Sequence, residues 1–285
     1  MSRETKNSIY ITGTLADVSG LRQGIINKGP NTGHQYISGS VIMRCMINGV
    51  ENRIPVKIFS LDVTQAHEQS KLFANYIKLK DMVGQRITWS NASLREERFI
   101  GRDGQVHAAQ TINGRFYSIP KMEDPDQANF SLVNGFVSNE IVELKDKDGS
   151  PYAYEIEIGM GSYKDDTAEV FKLRLPIEDV EKVKKLQSIY KKGLTVSVNG
   201  IINYKTIEKE VEMDMSKTLF GGTPTKKFIN TYANYFITGA QQPLDNTDPN
   251  AYTPEDFLRY KTSRATADSN LLVASKEKGN LTESR

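Results

Sequence analysis

With a single cysteine, Cys45, in 285 residues, the chain has no disulfide framework, which suits a reducing cytoplasm. Histidine is nearly as scarce. His34, His67 and His107 stand far apart, so no metal-ligand spacing assembles locally and no neighbouring acid–base pair is offered. No apolar run approaches membrane-spanning length, and the opening MSRETKNSIYITG lacks the hydrophobic stretch of a secretory signal. Serine and cysteine nucleophile motifs are missing. The segment GGTPTKK at 221–227 lacks the spacing of a phosphate-binding loop and reads as a hairpin tip, while EVEMDM at 210–215 reads as a half-buried strand. These absences favour a binding protein over an enzyme, with no cofactor, no metal and no membrane partner expected.

Charge is present in both signs but unevenly placed. Residues 1–120 hold 15 Lys+Arg against 9 Asp+Glu, residues 121–240 hold 16 against 19, and residues 241–285 hold 6 against 7. A basic first half beside an acidic second half points to a polyanion as partner of the first.

The second half repeats the first. A glycine-bearing strand opens each, IYITGTLADV at 9–18 and SLVNGFVSNEIV at 131–142. Strand pairs ending in IPVKIF and VFKLRLP follow, then helical stretches at 64–83 and 177–193, then GQRITWSNA and GLTVSVNGI, then QTINGRFYSI and KFINTYANYFITG. Five strands with a helix between the third and fourth is the element order of the OB-fold, a five-stranded Greek-key barrel. The expected fold is all-β with minor α: two tandem OB-fold barrels over 1–120 and 130–240, joined by a polar linker at 121–129. Residues 241–285 form a polar tail, with a short helix near 254–261 announced by Thr253-Pro254-Glu255-Asp256 and a mobile remainder.

The hairpin HQYISGSVIMRCMINGVENRIPVKIFS at 34–60 carries the functional signal. Every second residue from Ile37 to Ile47 forms a nearly continuous apolar row that faces a core, Cys45 included. The opposite row carries Tyr36, Arg44, Arg53, Lys57 and Phe59, rings and cations on a face the core does not need. Rings that stack on bases and cations that meet phosphates are what single-strand binding requires, although Tyr36 and Phe59 could equally pack under a loop. The glycine-rich loop at 19–34 adds Arg22 and Lys28, and the hairpin tip LREERFIGRDGQ at 94–105 adds Arg95, Arg98, Phe99 and Arg102, diluted by Glu96 and Glu97. Trp89 shares parity with Ile87 and is expected in the core. In the second repeat Tyr152, Tyr154, Ile156 and Ile158 form the apolar row and Glu155, Glu157, Lys172 and Arg174 face out, a poor phosphate track.

The run ITGTLADV, YISGSVIMRC, a helix and FYSI, with a diverged copy ending YFITG, resembles tandem OB-fold single-stranded DNA-binding proteins of bacteriophages, particularly those infecting Gram-positive bacteria. The resemblance implies a protein that coats single-stranded DNA during phage replication or recombination in the host cytoplasm. The second barrel would then be a weaker binder, or a platform for self-association or for replication and recombination proteins, which the C-terminal tail could also meet. Many bacterial relatives end in an acidic tail that recruits replication enzymes, whereas this chain departs from that pattern and ends KEKGNLTESR. A protein of another class, a phage structural or assembly component using such barrels as interaction modules, fits the modest net charge and the acidic second half.

Overall fold

The structure, a computed structural model, describes residues 3–66, 68–161, 167–212 and 225–283. The first half contains β1 (Lys6–Asp17), β2 (Arg22–Ile25), β3 (Gln35–Ile47), β4 (Val50–Leu61), α1 (Lys71–Ile77), a 3₁₀ turn (Lys78–Met82), β5 (Arg86–Ile100), β6 (Val106–Gly114) and β7 (Tyr117–Ser118). The second contains β8 (Gln127–Lys145), β9 (Pro151–Gly161), β10 (Ala168–Pro176), α2 (Val180–Ile189), β11 (Thr195–Glu212) and β12 (Thr225–Ala240), followed by α3 (Pro254–Glu283). The protein is therefore mostly β with a minor helical part.

Local chemistry sets the hairpin that carries the candidate site. Asn48 and Gly49 have φ of 53° and 77°, the two left-handed residues of a two-residue turn, and they lock the register from Ile47↔Val50 through Tyr36↔Leu61. That register holds Ile37, Val41, Met43, Cys45, Ile54 and Val56 inward, each fully buried. A one-residue slip would turn every one of them to water. Ser70 caps α1, its hydroxyl accepting from the Phe73 amide at 3.2 Å.

Each half closes into a ring. β1 pairs with β3, β3 with β4, β4 in parallel with β6, β6 with β5, and β5 returns to β1. The second ring has the same order: β8, β9, β10, then β12 in parallel, β11, and back to β8. One glycine recurs in both first strands because the next strand of the ring passes close there. A Cβ on Gly13 would meet the Arg44 carbonyl oxygen at 2.5 Å, and one on Gly135 would meet Ile158 Cγ2 at 2.7 Å. Trp89 fills the first ring, fully buried beside Tyr76 and Tyr117, as its parity predicts.

The rings are joined through their first strands. β1 and β8 pair antiparallel from Lys6↔Val133 to Thr12↔Gln127. With Gly13 and Gly135 as equivalent positions, Ser8 corresponds to Phe130 and Ile9 to Ser131. The paired couples Ser8↔Ser131 and Ile9↔Phe130 therefore exchange when the halves exchange, and the junction is an approximate two-fold. Each ring also lays its last hairpin on the third strand of the other. Gln110 of β6 brackets the Lys172 backbone on β10, accepting from its amide at 2.7 Å and donating to its carbonyl at 3.3 Å. In return the Tyr204 amide of β11 donates to the buried Asn52 of β4 at 2.9 Å.

The expected linker at 121–129 is pinned, since Arg86 donates to the Asp124 carbonyl at 2.8 Å and to Asp126 at 2.7 Å, and Gln127–Asn129 belong to β8. Two expectations are corrected. Tyr152 lies 47% exposed because the buried alternation slips between Ala153 and Ile156. The C-terminal helix does not stop near 261 but runs to Glu283. It starts as expected, with the Asp256 amide donating to Thr253 Oγ1 at 3.2 Å and the Thr253 amide donating to the Asp256 carboxylate at 3.0 Å. Tertiary anchors then carry it onward. Tyr260 stacks on Phe136 at 6.0 Å, Phe257 meets the same ring edge-on, Arg264 pairs with Glu96, and Asp268 pairs with Arg98. Beyond them Leu271, Leu272 and Ala274 are strong helix formers, enough to propagate an anchored helix. The turn expected within 221–227 falls outside the described residues up to position 224, as does the part of 210–215 beyond Glu212.

Candidate nucleic-acid interface

The outer face of β2, β3 and β4 gathers most of the rings and cations that the sequence singled out. Arg22 on β2 stands beside Ser38 on β3, and Ser38 stands beside Phe59 on β4, so one row crosses three strands. At the strand spacing of about 4.8 Å, Arg22 lies roughly 10 Å from Phe59, within reach of one nucleotide's phosphate and base. Phe59 is 60% exposed, a large apolar side chain that nothing covers. Lys57 follows it on the same face, opposite Ser40.

At the far end of the hairpin Arg44 and Arg53 are directly opposite each other, and both are exposed. Like charges in that relation destabilise a sheet. Among the described residues neither has a carboxylate within ion-pair distance. Asp17 is near enough to Arg53 to feel it, but its carboxyl is held below the ordinary value chiefly by the Ser19 amide. The fold derives no benefit from this pair of guanidiniums, and an anion bridging them would.

Between the two ends lies a groove of about 580 Å³ lined by Ser40, Lys57, Phe59, Glu97, Asn113 and Arg115. Arg115 and the half-exposed Phe116 beside it escaped the sequence reading because they follow the last residue of β6, where alternation no longer assigns a face. The cation-ring dipeptide in NGRFYSI was the available signal. Lys57 is not free in the groove, because its Nζ is paired with Glu97, which also accepts from Thr111 Oγ1 at 3.3 Å.

The other candidates lie apart from this row or are partly covered. The ring of Tyr36 lies against β2, where a Cβ on Gly24 would meet it at 2.9 Å, so it is half-covered by the loop. Lys28 is exposed on the same loop. The β5–β6 tip does not join the face: Val106 is seven strand residues from Asn113, roughly 23 Å along the strand. It leans instead on the second ring and on α3. Arg98, 17% exposed, pairs with Asp268 and donates to the Arg264 carbonyl at 3.2 Å, and Arg95 pairs with Glu169 at 3.2 Å. Phe99 stacks on His107 at 5.9 Å, and Arg102 is exposed at the tip. Arg98 thus clamps the tip to α3, whose Asp268 is an acid remote in sequence.

The matching face of the second ring is neutralised. Glu155 lies near Lys172 and Arg174 at 3.6 and 3.7 Å, and Glu157 near Lys172 at 3.8 Å. Burial pushes the Cys45 thiol up to about 12, so it is not a thiolate at neutral pH. Among the described residues no three His, Cys, Asp or Glu side chains cluster as metal ligands, and no helix is long and apolar enough to cross a membrane.

The YorF family profile matches residues 6–272, nearly the whole chain, and the chain belongs to that family. No curated protein matches it.

Proposed function

We propose that this member of the YorF family is a non-catalytic protein that binds single-stranded DNA through the outer face of β2, β3 and β4, largely without regard to sequence. The ring order in each half, with a helix between the third and fourth strands, supports reading both as OB-folds, whose second and third strands and flanking loops are the usual ligand surface. In this reading residues 1–120 are the binding unit, and residues 130–240, with their neutralised face, are the scaffold. The carrying observation is the opposed, exposed pair Arg44 and Arg53 in line with the bare ring of Phe59. Phe59 stacks on a base, for about 1–3 kcal/mol, while Arg22, Arg44, Arg53 and Arg115 follow the phosphates. Coating of exposed strands during phage DNA replication or recombination in a host cytoplasm is the role this activity would serve.

Fluorescence polarisation of an unstructured labelled oligonucleotide tests the reading. Four phosphate contacts give a slope of log affinity against log salt of about −2.8, from the single-strand coefficient of roughly 0.7 per contact. Absence of binding, or binding indifferent to salt, would overturn it.

A further inference from the structure

The groove beneath Phe59 contains an acid where a phosphate track should have none. Glu97 reaches it from β5, its carboxylate on Lys57 Nζ with a second contact from Thr111. Both partners are partly open to solvent, with side-chain exposures of 41% for Lys57 and 44% for Glu97. Resting on the single-strand reading above, we propose that Glu97 is a built-in competitor for phosphate at Lys57, an intramolecular anion that holds the cation until a strand displaces it.

Four cations share this face, Arg22, Arg44, Arg53 and Lys57. Among the described residues Arg22, Arg44 and Arg53 have no carboxylate within ion-pair distance. Lys57, at the centre and next to the stacking ring, is the cation held by a carboxylate. A half-exposed ion pair contributes little net free energy, so the fold has small need of it. For the same reason a phosphate oxygen arriving at Lys57 displaces the carboxylate easily. Once displaced, Glu97 faces the polyanion across the groove and is repelled by it, which weakens the bound state and hastens release. The ends of the face hold the strand, and the centre sets how tightly.

The test uses the full chain and an unstructured oligonucleotide. Glu97→Gln keeps the shape and the Thr111 contact but removes the charge. Expected is roughly two- to fivefold tighter binding at low salt, the range spanned by a surface ion pair. The salt slope should steepen by about 0.7, one additional counterion released. The gain should vanish in a Lys57→Gln background, and Asp103→Asn at the hairpin tip, which changes net charge equally, should give less of it. Unchanged or weaker binding by Glu97→Gln, or a gain that persists without Lys57 or is matched by Asp103→Asn, overturns the role of Glu97 alone. A wild-type chain with no affinity for the oligonucleotide overturns the single-strand reading instead.

Discussion

Replacing Arg44 with alanine should move stability and affinity in opposite directions. Arg44 and Arg53 face each other across β3 and β4 with no acid between them, and opposed like charges cost a sheet about 0.2–1 kcal/mol. Arg44 is the better member to remove because Arg53 also interacts with Asp17. The Arg44→Ala chain should therefore unfold at slightly higher urea, with the slope of the transition unchanged because the surface exposed on unfolding is the same. Binding should show the reverse. With four cations on phosphates, affinity falls roughly fifty-fold between about 50 and 200 mM salt, and with Arg44 and Arg53 both replaced, only about sevenfold. Urea denaturation followed by circular dichroism, beside polarisation titrations at the two salt concentrations, measures both effects on the single and double variants. A double variant that keeps the wild-type salt dependence would refute the reasoning, as would an Arg44→Ala chain that is less stable than its parent.

The other expectations follow from single contacts. Phe59→Ala should weaken oligonucleotide binding by about 1–3 kcal/mol, one stacked base, and leave the melting temperature almost unmoved because the ring is largely exposed. Arg98→Ala should leave affinity unchanged but loosen α3, seen as faster amide exchange from about Arg264 onward; a loss of affinity equal to that of Arg44→Ala would return Arg98 to the binding face. Burial alone would raise the Asp256 carboxyl, but the Thr253 amide and the Arg3 guanidinium outweigh it and hold it below the ordinary value. Its contribution is therefore fully present above about pH 4 and fades as the pH falls through the lowered folded value. Arg3→Ala should diminish that acid sensitivity in a pH series of thermal melts.

Where alternation runs unbroken, the sequence was a sufficient guide. Ile37 to Cys45 and Ile54 to Ile58 face inward, Arg44, Arg53 and Phe59 face outward, and Trp89 is core, all because a closed ring has one inside and a strand has two sides. What stayed hidden is pairing at a distance. Glu97 is 40 residues from Lys57, and no local pattern announces that β5 will bring its acid to a β4 cation. Arg98 looked like a free cation because Asp268 belongs to a segment with too little periodicity to signal a docked helix. Its anchors are a few residues, Phe257, Tyr260 and Arg264, rather than a continuous apolar stripe. Arg115 was missed for a plainer reason, since it lies where a strand has just ended.

The antiparallel seam between β1 and β8 has a mechanical consequence. Both strands belong at once to a ring and to the junction, so the two lobes share a girder and have no hinge: to swing one against the other, backbone ladder bonds from Lys6 to Thr12 must break in series. Such a body can be moved along a filament or lifted from it, but it does not bend to follow one. If the single-strand reading holds, any curvature at the point of contact has to be supplied by the strand.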